Sequence, residues 1–355
     1  MHWSAVAYAL TARVYSRATQ QHFPRDRSMF TGTLPFTDTQ RPYIALAPME
    51  GLMDGTFREL LTAVGGIDHC VTEFIRVTQQ VFPSKVFYRL CPELHNGGRT
   101  LAGTPVHVQL LGSDPELMAG NAAKAAELGA LAIDLNFGCP AKTVNRSQGG
   151  AVLLQYPDLL NRIASAVRDA VPENIPVSAK MRLGFKDKSL ALENASALTS
   201  GGIQWLTVHA RTKTEGYKPP AYWKWIAEIK KVVDIPVLAN GEIWTPEQAQ
   251  QCQQESESDL LMIGRGLVAT PDLARVIKEP DYKPMTWQQH LALLEKLSES
   301  LEHLTDKQLT DRLKQWLHYF SMHSETIKSV FDTVKRERSR EAFFRKIKQA
   351  SESGL

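Results

Sequence analysis

No stretch of this 355-residue chain reaches the roughly 18 consecutive apolar residues that a membrane span needs. Its four cysteines, Cys70, Cys91, Cys139 and Cys252, lie far apart and form no Cys-x-x-Cys pair. That spacing argues against a disulfide framework or a zinc site and fits a reducing compartment, so a cytoplasmic location is expected. No Gly-x-Gly-x-x-Gly follows the first apolar run, so a doubly wound dinucleotide fold lacks its phosphate loop. No Ser/His/Asp arrangement is present, and Asp134, Glu242 and His209 do not show metal-ligand spacing, so no metal is expected. Acids are missing before Asp26. Residues 1–28 read as an extension or a weak transit-like leader, with Met29 available as an alternative start, and residues 1–41 are set apart as an N-terminal extension expected to be disordered.

What is present is ordinary in amount and uneven in placement. A hydrophobic share of 43% with 22% charged residues fits a soluble globular protein. The net charge of +3 conceals a basic C-terminal region. Residues 307–348 hold 11 basic against 5 acidic residues, which is either a polyanion-facing surface or a solvated helix face.

From Tyr43 onward short apolar runs alternate with helical patterns. Strands are expected at 43–47, 70–75, 106–111, 131–136, 176–181, 204–208, 235–239 and 259–263. Amphipathic stretches fall at 56–64, 115–128, 157–170 and 245–254. Eight strands with helical connections predict an α/β fold, a (β/α)8 TIM barrel over 42–285. After Pro284 the strand signal stops. Helices are expected at 286–303, 306–321, 324–335 and 339–352, a small all-helical domain over 286–355. Leu291, Leu294, Leu297, Leu301 and Leu304 give the first of these a buried stripe.

A barrel keeps its chemistry beyond the C-terminal ends of its strands. Collected there are Pro48, Met49 and Glu50 after the first strand, Gln109 on the third, and Asn136 and Cys139 after the fourth. Lys180 and Arg182 end the fifth and His209 and Arg211 the sixth. Asn240-Gly241-Glu242 follows the seventh, and Gly264-Arg265-Gly266 the eighth. The glycines let backbone N–H groups approach a phosphate after the last two strands, where Arg265 adds a bidentate cation. Lys180 is a charge in a buried strand and needs an anionic or carbonyl partner, which the N1–C2=O edge of a reduced flavin supplies. Gln109 and His209 can hydrogen-bond a heteroaromatic ring and a phosphate. The Gly-Cys-Pro turn at 138–140 lifts one thiol out of the core.

Eight ordered motifs then resemble the bacterial tRNA-dihydrouridine synthases: residues 47–51 (APMEG), 72–76 (TEFIR), 108–112 (VQLLG), 134–142 (DLNFGCPAK), 180–184 (KMRLG), 208–212 (VHART), 239–243 (ANGEI) and 262–266 (MIGRG). Residues 91–94 (CPEL), 243–244 (IW) and 312–317 (RLKQWL) are most similar to the type assigned to uridine 16 of the D-loop. Phe137 departs from the usual pattern, with the following Cys-Pro intact.

The resemblance implies bound FMN, NADPH as reductant and tRNA as substrate. FMN contacts fall on Pro48, Met49, Glu50, Gln109, Lys180, Asn240, Gly241, Glu242, Gly264 and Arg265, with His209 a weaker member. Cys139 becomes the general acid that protonates C5 after hydride reaches C6, and Asn136 holds the uracil edge. Arg76 and Arg182 are expected on the active-site rim as tRNA contacts, with Arg312, Lys314, Tyr319 and Lys335 on the helical domain. A monomer with no protein partner is expected. A flavin barrel acting on a small molecule, a non-enzymatic RNA-binding protein on an inherited barrel, and action on another D-loop uridine remain the competing readings.

Overall fold

The computed structural model describes residues 31–36 and 42–352. Strands β1 (Tyr43–Leu46), β2 (His69–Val71), β3 (Ile75–Arg76), β4 (Val106–Leu111), β5 (Ile133–Phe137), β6 (Val177–Arg182), β7 (Trp205–His209), β8 (Val237–Asn240) and β9 (Leu260–Ile263) are all parallel. β1 pairs with both β2 and β9, and β2 with β4, so the sheet closes into a barrel. Alternation along each strand sorts the side chains. Ile44, Leu46, Val108, Leu135, Leu206 and Val208 pack outward with the helices, while Tyr43, Ala45, Trp205, Leu238 and Met262 form a separate interior cluster.

The second barrel strand is broken, where one continuous strand over 70–75 was expected. β2 and β3 both pair with β4, and the chain steps aside between them. Thr72 Oγ1 accepts from Gln109 N at 3.0 Å, and the Glu73 carboxylate turns to accept from Gly51 N. Glu73 is thereby committed to the neighbouring loop. Of the expected N-terminal extension, residues 1–30 and 37–41 lie outside the described residues. Within 31–36, Phe36 is 4% exposed and meets Tyr43 and Trp205 edge-on at 4.9 and 5.4 Å. It plugs the barrel floor, where Trp205 and Tyr43 would otherwise face water, so Phe36 belongs to the packed fold.

The helices of the barrel are α1 (Gly55–Val64), α2 (Ser84–Leu90), α3 (Pro115–Glu127), α4 (Lys142–Arg146), α5 (Pro157–Ala170), α6 (Ala191–Ser200), α7 (Lys224–Lys230), α8 (Pro246–Ser256), α9 (Arg265–Ala269) and α10 (Leu273–Lys278). Those of the C-terminal region are α11 (Trp287–Ser300), α12 (Asp306–Phe320), α13 (Glu325–Val334) and α14 (Arg340–Glu352). Thr286 with Gln289, and Thr305 with Gln308, form reciprocal capping boxes that fix where α11 and α12 start. The helical unit docks on the β9/β1 side of the barrel mouth. Trp316 is fully buried there, donates from Nε1 to Val268 O at 3.0 Å and lies 4.9 Å from the Phe57 ring. Arg312 adds bonds to Gly51 O, Leu52 O and the Asp54 carboxylate. Among the described residues no helix is long and apolar enough to cross a membrane.

Candidate active site

The C-terminal ends of the strands surround a cavity of about 600 Å³. Every residue expected to contact the cofactor lines it: Pro48, Met49, Glu50, Gln109, Lys180, His209, Asn240, Gly241, Glu242, Gly264 and Arg265. Cys139, Asn136, Arg182 and Tyr319 line it as well. Arg76, Arg312, Lys314 and Lys335 do not.

Cys139 is held by its loop. Asn136 Oδ1 accepts from both Gly138 N at 2.9 Å and Cys139 N at 3.0 Å, and Asn145 Nδ2 donates to Cys139 O at 3.0 Å. Gly150 has a positive φ of 66°, and a side chain there would meet Cys139 O at 2.8 Å. Partial burial pushes the thiol above its ordinary pKa; the Ala141 N–H bond opposes it, Glu50 adds to the rise, and Arg182 and Arg76 oppose it more weakly. Cys139 is therefore a protonated thiol at neutral pH.

Behind this loop runs a chain of buried hydrogen bonds that sequence reasoning missed. Ser178 Oγ donates to Asp134 Oδ1 at 2.6 Å, and Gln109 Nε2 donates to Asp134 Oδ2 at 2.7 Å. Asn136 Nδ2 donates to Gln109 Oε1 at 2.8 Å, which carries the chain to the cysteine loop. The signal was available in the register, because Gln109 and Asp134 are direct partners on β4 and β5. Burial pushes the Asp134 carboxyl up, while the Gln109 and Ser178 bonds and Lys180 pull it back.

The adjoining wall, from β6 round to α9, is cationic. Lys180 Nζ donates to Asn240 Oδ1 at 3.1 Å, and Asn240 Nδ2 donates to Met262 O at 2.7 Å. Burial, aided by Arg182, pushes the Lys180 pKa down to about 8. His209 is driven well below its usual range by burial and by Arg182, Lys180, Arg211 and Arg265, so it is a neutral imidazole. Its Nδ1 and the Arg211 Nη1 are buried without a partner. Arg265 lies between the Tyr217 and Trp244 rings, 4.9 and 4.8 Å from their centroids, and 3.9 Å from the Glu242 carboxylate. Glu242, at a positive φ of 60°, also pairs with Arg211 and accepts from Trp244 Nε1. Lys180, Arg182 and Arg265 line this wall against the Glu242 carboxylate, with an unpaired Arg211 nitrogen buried behind them, which fits a phosphate-bearing ligand.

The other predicted contacts divide. Arg182 is not on the rim. It is 2% exposed, because β6 runs through Arg182 and pairs it with His209. Its guanidinium ties three loop carbonyls together, at Gly138, Thr212 and Gly216. Arg76 is half-buried and latches Ser147 Oγ at 2.7 Å and Thr143 O at 3.2 Å, next to the cysteine loop. Arg312 is engaged in the docking contact described above, and Lys314 bonds Glu337 O and Asp311 within the helical unit. Lys335 is exposed beside Asp332, and Tyr319 reaches the cavity. Tyr217 was overlooked, lying in an aperiodic loop. It is 52% exposed at the mouth, with Arg182 and Arg265 against its ring.

Comparison with known proteins gives a consistent result. Residues 45–352 match the family described as dihydrouridine synthase. The tRNA-dihydrouridine(16) synthase of Pseudomonas syringae pv. tomato is 54% identical over 299 residues, 83% of this chain and 94% of the relative. That of Shewanella oneidensis is 47% identical over 310 residues, 86% and 98% of the two chains. Among solved structures, histamine dehydrogenase from Rhizobium sp. 4-9 superposes with a TM-score of 0.52 at 12% identity, over 67% of this chain and 45% of that one. That likeness concerns the fold.

Proposed function

The chain belongs to the dihydrouridine synthase family, and from that premise we propose that it reduces uridine 16 of the tRNA D-loop to 5,6-dihydrouridine, with FMN as bound cofactor and NADPH as reductant. The observation that carries this reading is a thiol and a cationic, anion-seeking wall lining one cavity at the strand ends.

The residues present fit a flavin mononucleotide. Its phosphate would be held by Arg265 and the Gly241 and Gly264 loops, with His209 alongside, and its pyrimidine edge by Lys180 and Gln109. Pro48, Met49, Glu50, Asn240 and Glu242 complete the lining. When bound, the flavin supplies the hydride to C6 of the uracil. Negative charge then develops across C5 and O4 of the base. Cys139 delivers the proton to C5, and its raised pKa keeps that proton in place until the charge appears. Asn136 fixes the cysteine loop through its Oδ1 and can offer its remaining amide hydrogen to the base. Arg182 keeps the Gly138 turn and the loop around Gly216 in register.

A uridine inside folded tRNA must leave its stack to reach this depth. Residues 286–355 would orient the RNA, with Tyr319 at the cavity edge and Lys335 on the outer face. Arg312, which also ties that unit to the barrel, Lys314, which braces it internally, and Arg76, beside the cysteine loop, would contact the RNA as well. We assign residues 42–285 to flavin binding and catalysis, and the whole to a cytoplasmic monomer.

The test is dihydrouridine mapping in tRNA from a strain lacking this gene, complemented with wild type or Cys139→Ala. Loss at position 16, restored by wild type alone, is the expected result. A position 16 that stays modified without this gene overturns the assignment of the uridine. Persistence of every dihydrouridine overturns the tRNA reading.

A further inference from the structure

The helical unit accounts for one side of the cavity mouth and leaves the other side bare. Its docking contacts reach the loop after β1, at Gly51, Leu52 and Asp54, α9 after β9, at Val268, and the turn after β8, where His323 meets Trp244. Around the closed barrel, β5, β6 and β7 stand across the mouth from β1 and β9. The segments following them, residues 139–148, 184–190 and 212–224, carry Lys142, Arg146, Lys186, Lys188, Lys213, Lys218 and Lys224 against two acids, Asp187 and Glu215.

Both acids are engaged locally. Asp187 accepts from Ser189, and Glu215 pairs with Lys188. Among the described residues no carboxylate pairs with Lys142, Arg146, Lys186, Lys218 or Lys224, and all five are exposed. The aromatic rings here are placed among cations too. Lys213 lies 5.0 Å from the Phe185 centroid, Lys188 3.9 Å from that of Tyr222, and Tyr222 is itself 37% exposed.

A merely solvated charged face has no reason to prefer one end of the barrel. The segments entering the same three strands from below, 128–132, 171–176 and 201–204, hold no lysine or arginine and one acid, Glu173. The surplus is confined to the mouth. A nucleotide turned out of its stack stays tethered by a phosphate on each side, so its two flanks leave the pocket in different directions. A cradle on the β9/β1 side alone leaves the second flank unsupported over β5–β7.

We propose that the loops after β5, β6 and β7 form a second RNA-contacting surface, which takes the backbone phosphates flanking the extruded uridine on the side away from the helical unit. This surface rests on the tRNA reading given above.

The test measures the affinity of the flavin-loaded full chain for an unmodified tRNA transcript over a range of salt concentrations. The wild type is compared with Lys186→Gln/Lys218→Gln and with Lys231→Gln, an exposed lysine remote from the mouth whose partner is Glu228. Each phosphate-contacting lysine removed reduces the slope of log affinity against log salt by about 1, so the double variant loses about 1.5–2. Its flavin absorbance and its rate at saturating tRNA stay as in wild type, with KM raised, while Lys231→Gln matches wild type throughout. An unchanged slope in the double variant, or an equal loss in Lys231→Gln, overturns the surface. Wild-type protein that holds flavin but shows no salt-dependent tRNA binding overturns the tRNA reading and removes this surface with it.

Discussion

Replacing Lys180 by methionine separates what the ammonium does for the cofactor from what it costs the fold. Its pKa falls from an ordinary 10.5 to about 8, chiefly through burial, and Arg182 adds to the loss. Full burial would make that fall worth about 3 kcal/mol against the folded state. The ammonium is partly open to the cavity, and screening reduces the figure to about 1–2 kcal/mol. Below about pH 8 the lysine is charged in both states, and the folded protein carries the whole cost. Between about 8 and 10.5 the unfolded chain holds the extra proton, and the cost fades as pH rises. Flavin-free Lys180→Met is therefore expected to melt about 2–4 °C above flavin-free wild type at pH 7, with the gap closing as the pH approaches 10. Flavin affinity moves the opposite way. Losing a charge-assisted bond worth about 1.5–3 kcal/mol weakens FMN binding by about 10- to 100-fold. The assays are thermal melts of the stripped proteins across pH and a calorimetric flavin titration. A stripped variant that melts below wild type at pH 7 refutes the reasoning, because the ammonium would then be satisfied without a ligand.

Other substitutions address the remaining links. Cys139→Ala should lower the single-turnover rate of uridine reduction by about 10²–10⁴ with flavin binding unchanged. Because the thiol pKa is raised, the wild-type rate should hold through neutral pH and decline only above the ordinary thiol range, which a single-turnover pH profile reads directly. Gln109→Leu leaves Asp134 Oδ2 and Asn136 Nδ2 without their partner. Each orphaned group costs about 1–3 kcal/mol, visible as a lower denaturant midpoint together with a slower chemical step. Trp316→Ala removes a fully buried ring and its bond to Val268 O and should cost about 3–5 kcal/mol. Flavin should stay bound while tRNA affinity falls, and tRNA affinity equal to wild type would show that docking of the helical unit is irrelevant to RNA binding.

The site was legible in the sequence to the extent that it lies at strand ends. A (β/α)8 barrel has one catalytic face, so apolar runs ending in Asn136, Lys180, His209 and Asn240 already point to a common cavity. Errors arose where one residue of strand length, or one tertiary bond, decides the outcome. Ending the fifth strand at 181 put Arg182 on the rim, whereas β6 runs through it and the inward alternation from Ser178 and Lys180 carries it into the barrel. The break between β2 and β3 depends on Gly51 N reaching Glu73 across 22 residues, which no local pattern reveals. Basic residues in the helical unit were visible as charge, but the bonds that Arg312 and Lys314 make inside the protein were not, because composition carries no partners.

The cavity must meet two electrostatic demands that conflict. Holding an anion calls for cations, and cations nearby draw a thiol toward thiolate, which would leave no proton for C5. The fold separates the two by strand. Lys180, Arg182, Arg211 and Arg265 come from β6 and the turns after β7 and β9, and burial together with their combined field suppresses protonation of His209. Cys139 sits after β5 and shares the cavity lining with Glu50 and Glu73 from the first two strands. The Glu50 carboxylate opposes Arg182 and Arg76 at the thiol, and burial then decides in favour of the protonated form. Glu50 itself is pushed up by burial and by Glu73. Glu50→Gln should therefore lower the Cys139 pKa, seen as faster alkylation by iodoacetamide near neutral pH. An unchanged alkylation rate would mean that burial alone keeps the acid protonated.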